Sequence, residues 1–185
     1  MKKKAILILS IAFVILIASA SFVKHLNGES VEWIDVLSRI FVGMVPMLLL
    51  FSKRIPFSLP LIISYYILLF CSFFLGALVG LYDRFSWWDT ALHFFGSAFA
   101  AFVAVDLYKL FTRKSAEQNI SSWLIFLFAL SFSVTASVVW ESVEFIGSVI
   151  GVMESDTNKD TMIDLLSGTA GGLIIALYAA FRKNK

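Results

Sequence analysis

Apolar residues fill six long runs of the chain, and short polar segments separate each run from the next. Each run has about the 20 residues that a helix needs to cross the hydrocarbon layer of a bilayer. The pattern therefore predicts an all-α fold, a polytopic transmembrane bundle of about six helices. The predicted spans cover residues 5–23, 31–51, 57–81, 88–110, 122–152 and 161–181.

Composition also places the chain in a lipid bilayer. Of its 185 residues, 59% are hydrophobic and 15% are charged, and the mean hydropathy is +0.88, far above that of a soluble domain. The spans use nearly the whole length, so we expect a single integral membrane domain over residues 1–185 and no nucleic-acid partner. The lone cysteine, Cys71, predicts neither an internal disulfide nor a thiolate metal site. No pattern indicates the oligomeric state.

The first two runs each contain a feature that needs an interpretation. The first includes Ala18-Ser19-Ala20, which resembles the cleavage site of a secretory signal peptide. Because this run is longer than a usual signal core, we expect it to be retained as a span. The second contains Pro46, which a membrane helix tolerates when a neighbour satisfies the carbonyl that the proline frees.

Basic residues divide the connecting segments into two classes. Eleven of the 15 Lys and Arg residues lie at the chain ends or near the second and fourth connections. The positive-inside rule places these residues in the cytoplasm. Both termini are therefore predicted to be cytoplasmic, and loops 24–32, 82–88 and 153–160 to face outward. The eleven are Lys2, Lys3, Lys4, Lys53, Arg54, Lys109, Arg113, Lys114, Arg182, Lys183 and Lys185.

Ionisable residues near the predicted outer surface form three short-spaced pairs. Such residues cost several kcal/mol inside a membrane unless they are paired, hydrated or bound to a cation. Separations of three or four residues put both members of a pair on one helical face. The pairs are Asp89 and His93 at the start of span four, Glu141 and Glu144 late in span five, and Asp160 and Asp164 at the start of span six.

The predicted topology brings the three pairs to one surface at similar depth. Five carboxylates around one imidazole repel one another, and a bound cation or a shared proton relieves that repulsion. We therefore predict a divalent metal ion: oxygen ligands favour Mg, Mn or Ca, and one histidine also admits Zn or Fe. The candidate catalytic residues are His93, Glu144 and Asp164, and the candidate metal ligands are Asp89, His93, Glu141, Glu144, Asp160 and Asp164.

The same residues also have structural interpretations. Asp89 and Asp160 can cap their helices, because Asp is favourable near a helix N-terminus. His93 can bond to a neighbouring carbonyl in the core, and the two glutamates can lie among solvated headgroups. Asp164 lies a full turn inside its span and is harder to explain in this way.

Arg39 and Arg84 are candidate contacts to an anionic group of a substrate. Guanidinium binds phosphate through two parallel hydrogen bonds, and both residues are predicted near the outer surface. Arg39 also shares a helical face with Glu32 and Asp35, so a structural salt bridge is the alternative.

Three motifs carry a resemblance to known families. They are Asp89-Thr-Ala-Leu-His93-Phe94, Trp140-Glu141-x-x-Glu144, and Asp160-Thr-x-x-Asp164 followed by Gly168. Together they resemble the YjdF-like family of bacterial inner-membrane proteins, and more distantly the VanZ-like family, which is linked to glycopeptide tolerance. The resemblance implies a multi-pass protein of the bacterial inner membrane with a polar site; it implies no particular reaction.

Three functions fit these patterns. The leading hypothesis is a metal-dependent membrane enzyme that hydrolyses or transfers a group on a lipid or lipid-linked envelope precursor at the outer leaflet. The second is a transporter coupled to a cation or to protons. The third is a non-catalytic envelope factor whose acidic site ties helices together by binding Ca or Mg.

Overall fold

The structure is a computed structural model, and it describes residues 1–112, 121–151, 153 and 157–183. Within these ranges the chain is helical and contains no strand. A 3₁₀ segment, Val45–Phe51, continues the second helix, and a π-helical segment, Phe70–Leu78, continues the third. The α-helices are α1 (Lys2–Leu26), α2 (Trp33–Met44), α3 (Leu59–Leu69), α4 (Leu81–Arg84), α5 (Trp88–Phe111), α6 (Ser122–Val149) and α7 (Asn158–Lys183).

Six of the described helical segments are long and apolar enough to cross a membrane, which confirms the predicted fold class. They are Lys2–Leu26, Trp33–Phe51, Leu59–Leu78, Trp88–Phe111, Ser122–Val149 and Asn158–Arg182. The cytoplasmic location of both termini and the single domain over residues 1–185 stay predictions. The predicted end of span five at Val152, and the loop residues Arg113, Lys114, Glu154, Asp156 and Lys185, lie outside the described residues.

The third span is shorter than its apolar run. The sequence predicts a helix to residue 81, but the structure ends the span at Leu78. Gly80 then adopts φ +82°, a left-handed conformation that glycine reaches without steric cost. The chain turns there and begins the short helix α4.

The chain divides into two compact units, and the first comprises Met1–Phe85. Within it, α1 packs against both α2 and α3. The buried face of α1 repeats every three or four residues and includes the polar Ser10. The Ser10 hydroxyl lies 2.6 Å from the Tyr66 hydroxyl, so the one polar group in the middle of this face has a partner.

Pro46 interrupts the hydrogen bonding of the second span. Its ring has no N–H to donate to the carbonyl of Val42, four residues earlier. The Tyr65 hydroxyl donates to that carbonyl at 2.7 Å, and the Tyr66 hydroxyl donates to the carbonyl of Gly43 at 3.3 Å. The expectation that a neighbour satisfies the carbonyl freed by Pro46 is therefore confirmed.

The second unit, Ser86–Lys185, is built on the three long helices α5, α6 and α7. Each of them packs against both others, and α6 runs opposite to α5 and α7. Their buried faces carry small residues at intervals of three or four positions, including Ala101 and Ala104 on α5 and Ala129 on α6. Small side chains let helix backbones approach closely where lipid supplies no hydrophobic drive to association.

Glycines of α7 form the tightest contacts in this unit. A Cβ atom on Gly168 would lie 2.6 Å from the Ser137 hydroxyl and 2.7 Å from the Ser97 hydroxyl. A Cβ atom on Gly171 would overlap the backbone carbonyl of Phe94, and one on Gly172 would overlap the Ser133 side chain. The backbone of α7 is therefore in direct contact with α5 and α6.

Candidate metal centre

The ionisable residues meet where α5 begins, α6 ends and α7 begins. His93 lies about one and a half turns into α5, while Glu141 lies about two turns before the end of α6. Asp164 lies nearly two turns into α7. All three are buried, because the periodicity of each helix turns them toward its two neighbours. Burial of two carboxylates beside an imidazole is costly unless charge is compensated.

The His93 ring is the centre of the cluster. Its Nδ1 atom lies 3.2 Å from Oε1 of Glu141. Its Nε2 atom lies 3.7 Å from Oδ1 of Asp89 and 3.8 Å from Oε2 of Glu144. One imidazole is therefore in contact with carboxylates from two helices, as the spacing of the first two pairs predicts.

Glu144 is positioned by a residue of its own helix. The indole N–H of Trp140 donates to Oε1 of Glu144 at 2.8 Å. The other oxygen, Oε2, lies toward His93. In the sequence, Trp140 stands out only as part of a motif, although its four-residue separation from Glu144 is the spacing at which helical side chains meet.

Asp164 completes the buried part of the cluster. Its Oδ1 atom is inaccessible to solvent and makes no hydrogen bond within the described residues. Single ligand atoms from Asp89, His93 and Asp164 all lie within 4.8 Å of one another, and the same holds for His93, Glu141 and Glu144. Two overlapping groups of three that share His93 could therefore hold a metal ion.

The side chains of the cluster differ in their exposure to solvent. The side chain of Asp89 is 39% exposed and that of Glu144 is 19% exposed, whereas His93, Glu141 and Asp164 are buried. Asp89 lies in the first turn of α5, where the helix dipole favours a negative charge. Asp89 and Glu144 are thus the more exposed members of the cluster.

Electrostatics favour a cation at this position. Two unit negative charges 4.8 Å apart repel by roughly 3.5 kcal/mol at an effective dielectric constant of about 20. A divalent cation or a bound proton is the compensation that these donors suit.

Asp160 is not part of either group of ligands. Its Oδ2 atom accepts a hydrogen bond of 2.6 Å from the Thr157 hydroxyl, and its backbone N–H donates to the same hydroxyl at 3.2 Å. These reciprocal bonds form the capping arrangement of a helix N-terminus. The structure thus matches the capping interpretation of Asp160, and our ligand set omits this residue.

We predict that Asp160→Ala leaves the affinity for Mn²⁺ unchanged, as measured by isothermal titration in detergent. The substitution removes one half of the cap, so the free energy of unfolding falls by about 0.5–1 kcal/mol. Thr157→Ala is the matched control, because it removes the same cap without touching a carboxylate. A loss of affinity in Asp160→Ala alone would return Asp160 to the ligand set.

The arginines belong to the first unit. Arg39 donates to Oδ2 of Asp35 at 3.3 Å, which is the salt bridge that sequence analysis held as the alternative. Arg84 is exposed at the end of α4. Their contact with a substrate anion stays a prediction.

One further contact supports the cluster from outside. The Ser167 hydroxyl of α7 donates to the backbone carbonyl of Thr90 at 2.8 Å. This bond joins the first turn of α5 to α7 between Asp89 and His93. In the sequence, only the position of Ser167 one turn after Asp164 hints at this bond, and nothing indicates that the acceptor is the Thr90 carbonyl.

One known protein family matches nearly the whole chain. No curated protein and no solved structure gives a significant match. Residues 5–185 match a family described as predicted membrane protein, DUF2238. The six membrane-spanning helices agree with that description. The chain therefore belongs to the DUF2238 family of predicted membrane proteins.

Proposed function

We propose that this protein is a metal-dependent membrane enzyme that hydrolyses or transfers a group on a lipid or lipid-linked cell-envelope substrate. The observation that carries the proposal is the pair of buried, unsatisfied atoms in the cluster, Nε2 of His93 and Oδ1 of Asp164. Buried polar atoms are nearly always hydrogen-bonded. A divalent ion supplies both atoms with a partner and offsets the charge of the surrounding carboxylates.

The donors fit catalysis by a bound ion. Such an ion polarises a phosphoryl or carbonyl oxygen, or lowers the pKa of a bound water. His93 and Asp164 are buried and hold the ion, while Glu144 lies on the more exposed side and is placed to accept a proton from an attacking water. Trp140 holds one oxygen of Glu144, which limits the orientations of the carboxylate.

The surroundings of the exposed side support a lipid-borne substrate. Trp140 and Phe145 flank Glu144 on α6, and Trp87 precedes α5; all three are exposed. Aromatic side chains of this kind collect at the membrane interface. A substrate that reaches Asp89 and Glu144 from this layer is a molecule with a polar headgroup and an apolar tail.

Location follows from the charge distribution. The positive-inside rule favours cytoplasmic termini, which puts the start of α5 and the end of α6 at the outer leaflet. The resemblance to YjdF-like proteins, and the more distant one to VanZ-like proteins, supports the bacterial inner membrane as the location. We propose that the reaction takes place on the outer leaflet of that membrane.

A transporter is the second candidate function, because the same carboxylates can bind a coupling ion. The packing of the second unit favours catalysis instead. Beyond Ser97, Ser133 and Ser137, the buried faces of the three helices carry alanines, among them Ala104, Ala129 and Ala176. A path for an ion through the described part of this unit would require polar side chains at the positions where these alanine methyl groups pack.

A reconstitution assay tests the proposal. Protein in vesicles of bacterial lipid extract, supplied with Mn²⁺, is expected to convert a lipid or lipid-linked component into a product detected by mass spectrometry. Glu144→Ala is expected to lower that rate by about 10²- to 10⁴-fold, the usual effect of removing a general base. Ser142→Ala is the matched control: Ser142 lies near the same helix end, and its hydroxyl donates to the Val138 carbonyl at 2.7 Å.

Each competing function predicts a different result in the same vesicles. Uptake of the ion without product formation supports the transporter. Chelation that lowers the unfolding temperature, with neither product nor flux in any lipid extract, supports the non-catalytic factor. Conversion that is equal in wild type and Glu144→Ala contradicts the enzymatic proposal.

A further inference from the structure

We propose that the ion binds to Nε2 of His93 together with Asp89 and Asp164, that Glu144 lies beside it as the proton acceptor, and that Glu141 is a positioning residue that acts through Nδ1. This inference rests on the metal centre of the proposed function and deepens it. It divides the cluster, which sequence analysis treated as one ligand set, into residues that touch the ion and a residue that orients one of them.

The tautomer of His93 decides which of its nitrogens can bind an ion. A neutral imidazole carries one proton on one of its two nitrogens, and an ionised carboxylate can only accept a hydrogen bond. Oε1 of Glu141 lies 3.2 Å from Nδ1. A carboxylate at that distance favours the tautomer with the proton on Nδ1, because the N–H dipole then faces the negative charge. The lone pair of the ring is consequently on Nε2.

Carboxylate oxygens lie close to the lone pair on Nε2. The Nε2 atom lies 3.7 Å from an oxygen of Asp89 and 3.8 Å from an oxygen of Glu144. One ligand atom each from Asp89, His93 and Asp164 lies within 4.8 Å of the other two. A lone pair directed at carboxylates is repelled by them. A cation placed among these atoms attracts both the nitrogen lone pair and the carboxylates, and these attractions outweigh the repulsion between them.

Burial supports the same division. His93 is 7% exposed and Asp164 is 6% exposed, and their Nε2 and Oδ1 atoms make no hydrogen bond within the described residues. Both residues belong, with Asp89, to a group whose ligand atoms lie within 4.8 Å of one another. Glu141 lies on the other side of the ring, beside Nδ1.

The resulting donor set also indicates the class of ion. One imidazole nitrogen with two carboxylates suits Mn²⁺, Fe²⁺ or Zn²⁺, whereas Ca²⁺ and Mg²⁺ prefer ligands that are all oxygen. A carboxylate on the far nitrogen of a ligating histidine fixes the ring and raises its basicity. Glu141 therefore strengthens binding without touching the ion.

Nuclear magnetic resonance with ¹¹³Cd²⁺ tests the proposal on the full chain in detergent. The protein is labelled with ¹⁵N-histidine, and His25→Ala removes the signals of the other histidine. We expect one-bond ¹¹³Cd–¹⁵N coupling to Nε2 and a proton on Nδ1. Coupling to Nδ1, or bound cadmium with no coupling to histidine, overturns the proposal.

Two variants separate orientation from ligation. Glu141→Gln keeps an acceptor beside Nδ1, so we expect the coupling to Nε2 to persist while the affinity falls by about 10- to 100-fold, as for other outer-shell partners. Asp89→Asn removes a direct ligand and is expected to shift the ¹¹³Cd resonance. An equal resonance shift in Glu141→Gln makes Glu141 a ligand and contradicts the division. Because no turnover is measured, failure of the enzymatic proposal leaves this result unaffected.

Discussion

Replacing Asp164 with asparagine is expected to lower the affinity of the purified protein for Mn²⁺ by more than about 100-fold, since the loss of a direct ligand exceeds the effect of losing an outer-shell partner. Asp164 is buried, and its Oδ1 atom makes no hydrogen bond within the described residues. The substitution keeps the size of the side chain and removes its charge. Isothermal titration and elemental analysis of protein in mild detergent measure the change.

Asp106→Asn is the matched control for this prediction. Asp106 is also an aspartate of the second unit, but its Oδ1 atom lies 3.6 Å from the Lys109 ammonium, away from the cluster. We expect this variant to bind Mn²⁺ as the wild type does. If both variants bind the ion equally well, Asp164 is a structural carboxylate and does not bind the metal.

The second large effect concerns helix packing. Gly171→Ala is expected to destabilise the second unit by about 1–3 kcal/mol or more, the usual cost of overpacking a close interface. The added methyl group would overlap the carbonyl of Phe94, which is backbone and cannot rotate away. Thermal unfolding followed by circular dichroism should show a lower midpoint and a reduced yield of folded protein.

Gly96→Ala provides the comparison within the same unit. A Cβ atom on Gly96 meets nothing within 4 Å, and alanine is favoured over glycine inside a helix by about 0.5–1 kcal/mol. We expect this variant to be as stable as the wild type or slightly more stable. Equal midpoints for the two variants would mean that α7 is not held against α5 at Gly171.

The fold followed from the sequence because a membrane restricts its choices. A span needs a fixed apolar length and internal hydrogen bonds, so six apolar runs predict six helices. The boundaries were less predictable. The run that ends at residue 81 gives no hydrophobic signal for the left-handed turn at Gly80, which depends on backbone conformation.

The site was predictable only in part. Helical spacing put Asp89 and His93 on one face, and the alternation of spans brought Glu141 near them. The same reasoning included Asp160, which shares a helical face with Asp164. The structure pairs Asp160 with Thr157 instead, because a carboxylate in the first turn reaches the free N–H groups and hydroxyl of the helix start.

The sequence by itself determined the membrane environment, the number of spanning helices and the identity of the ionisable residues that those helices carry. Each of these depends on local properties: apolar length, helical period and side-chain type. Only the tertiary structure decided which nitrogen of His93 faces Glu141, which carboxylate Trp140 holds and which glycines touch another backbone. These contacts join atoms of different helices or particular rotamers of one helix, and their geometry depends on the packing of all three helices together.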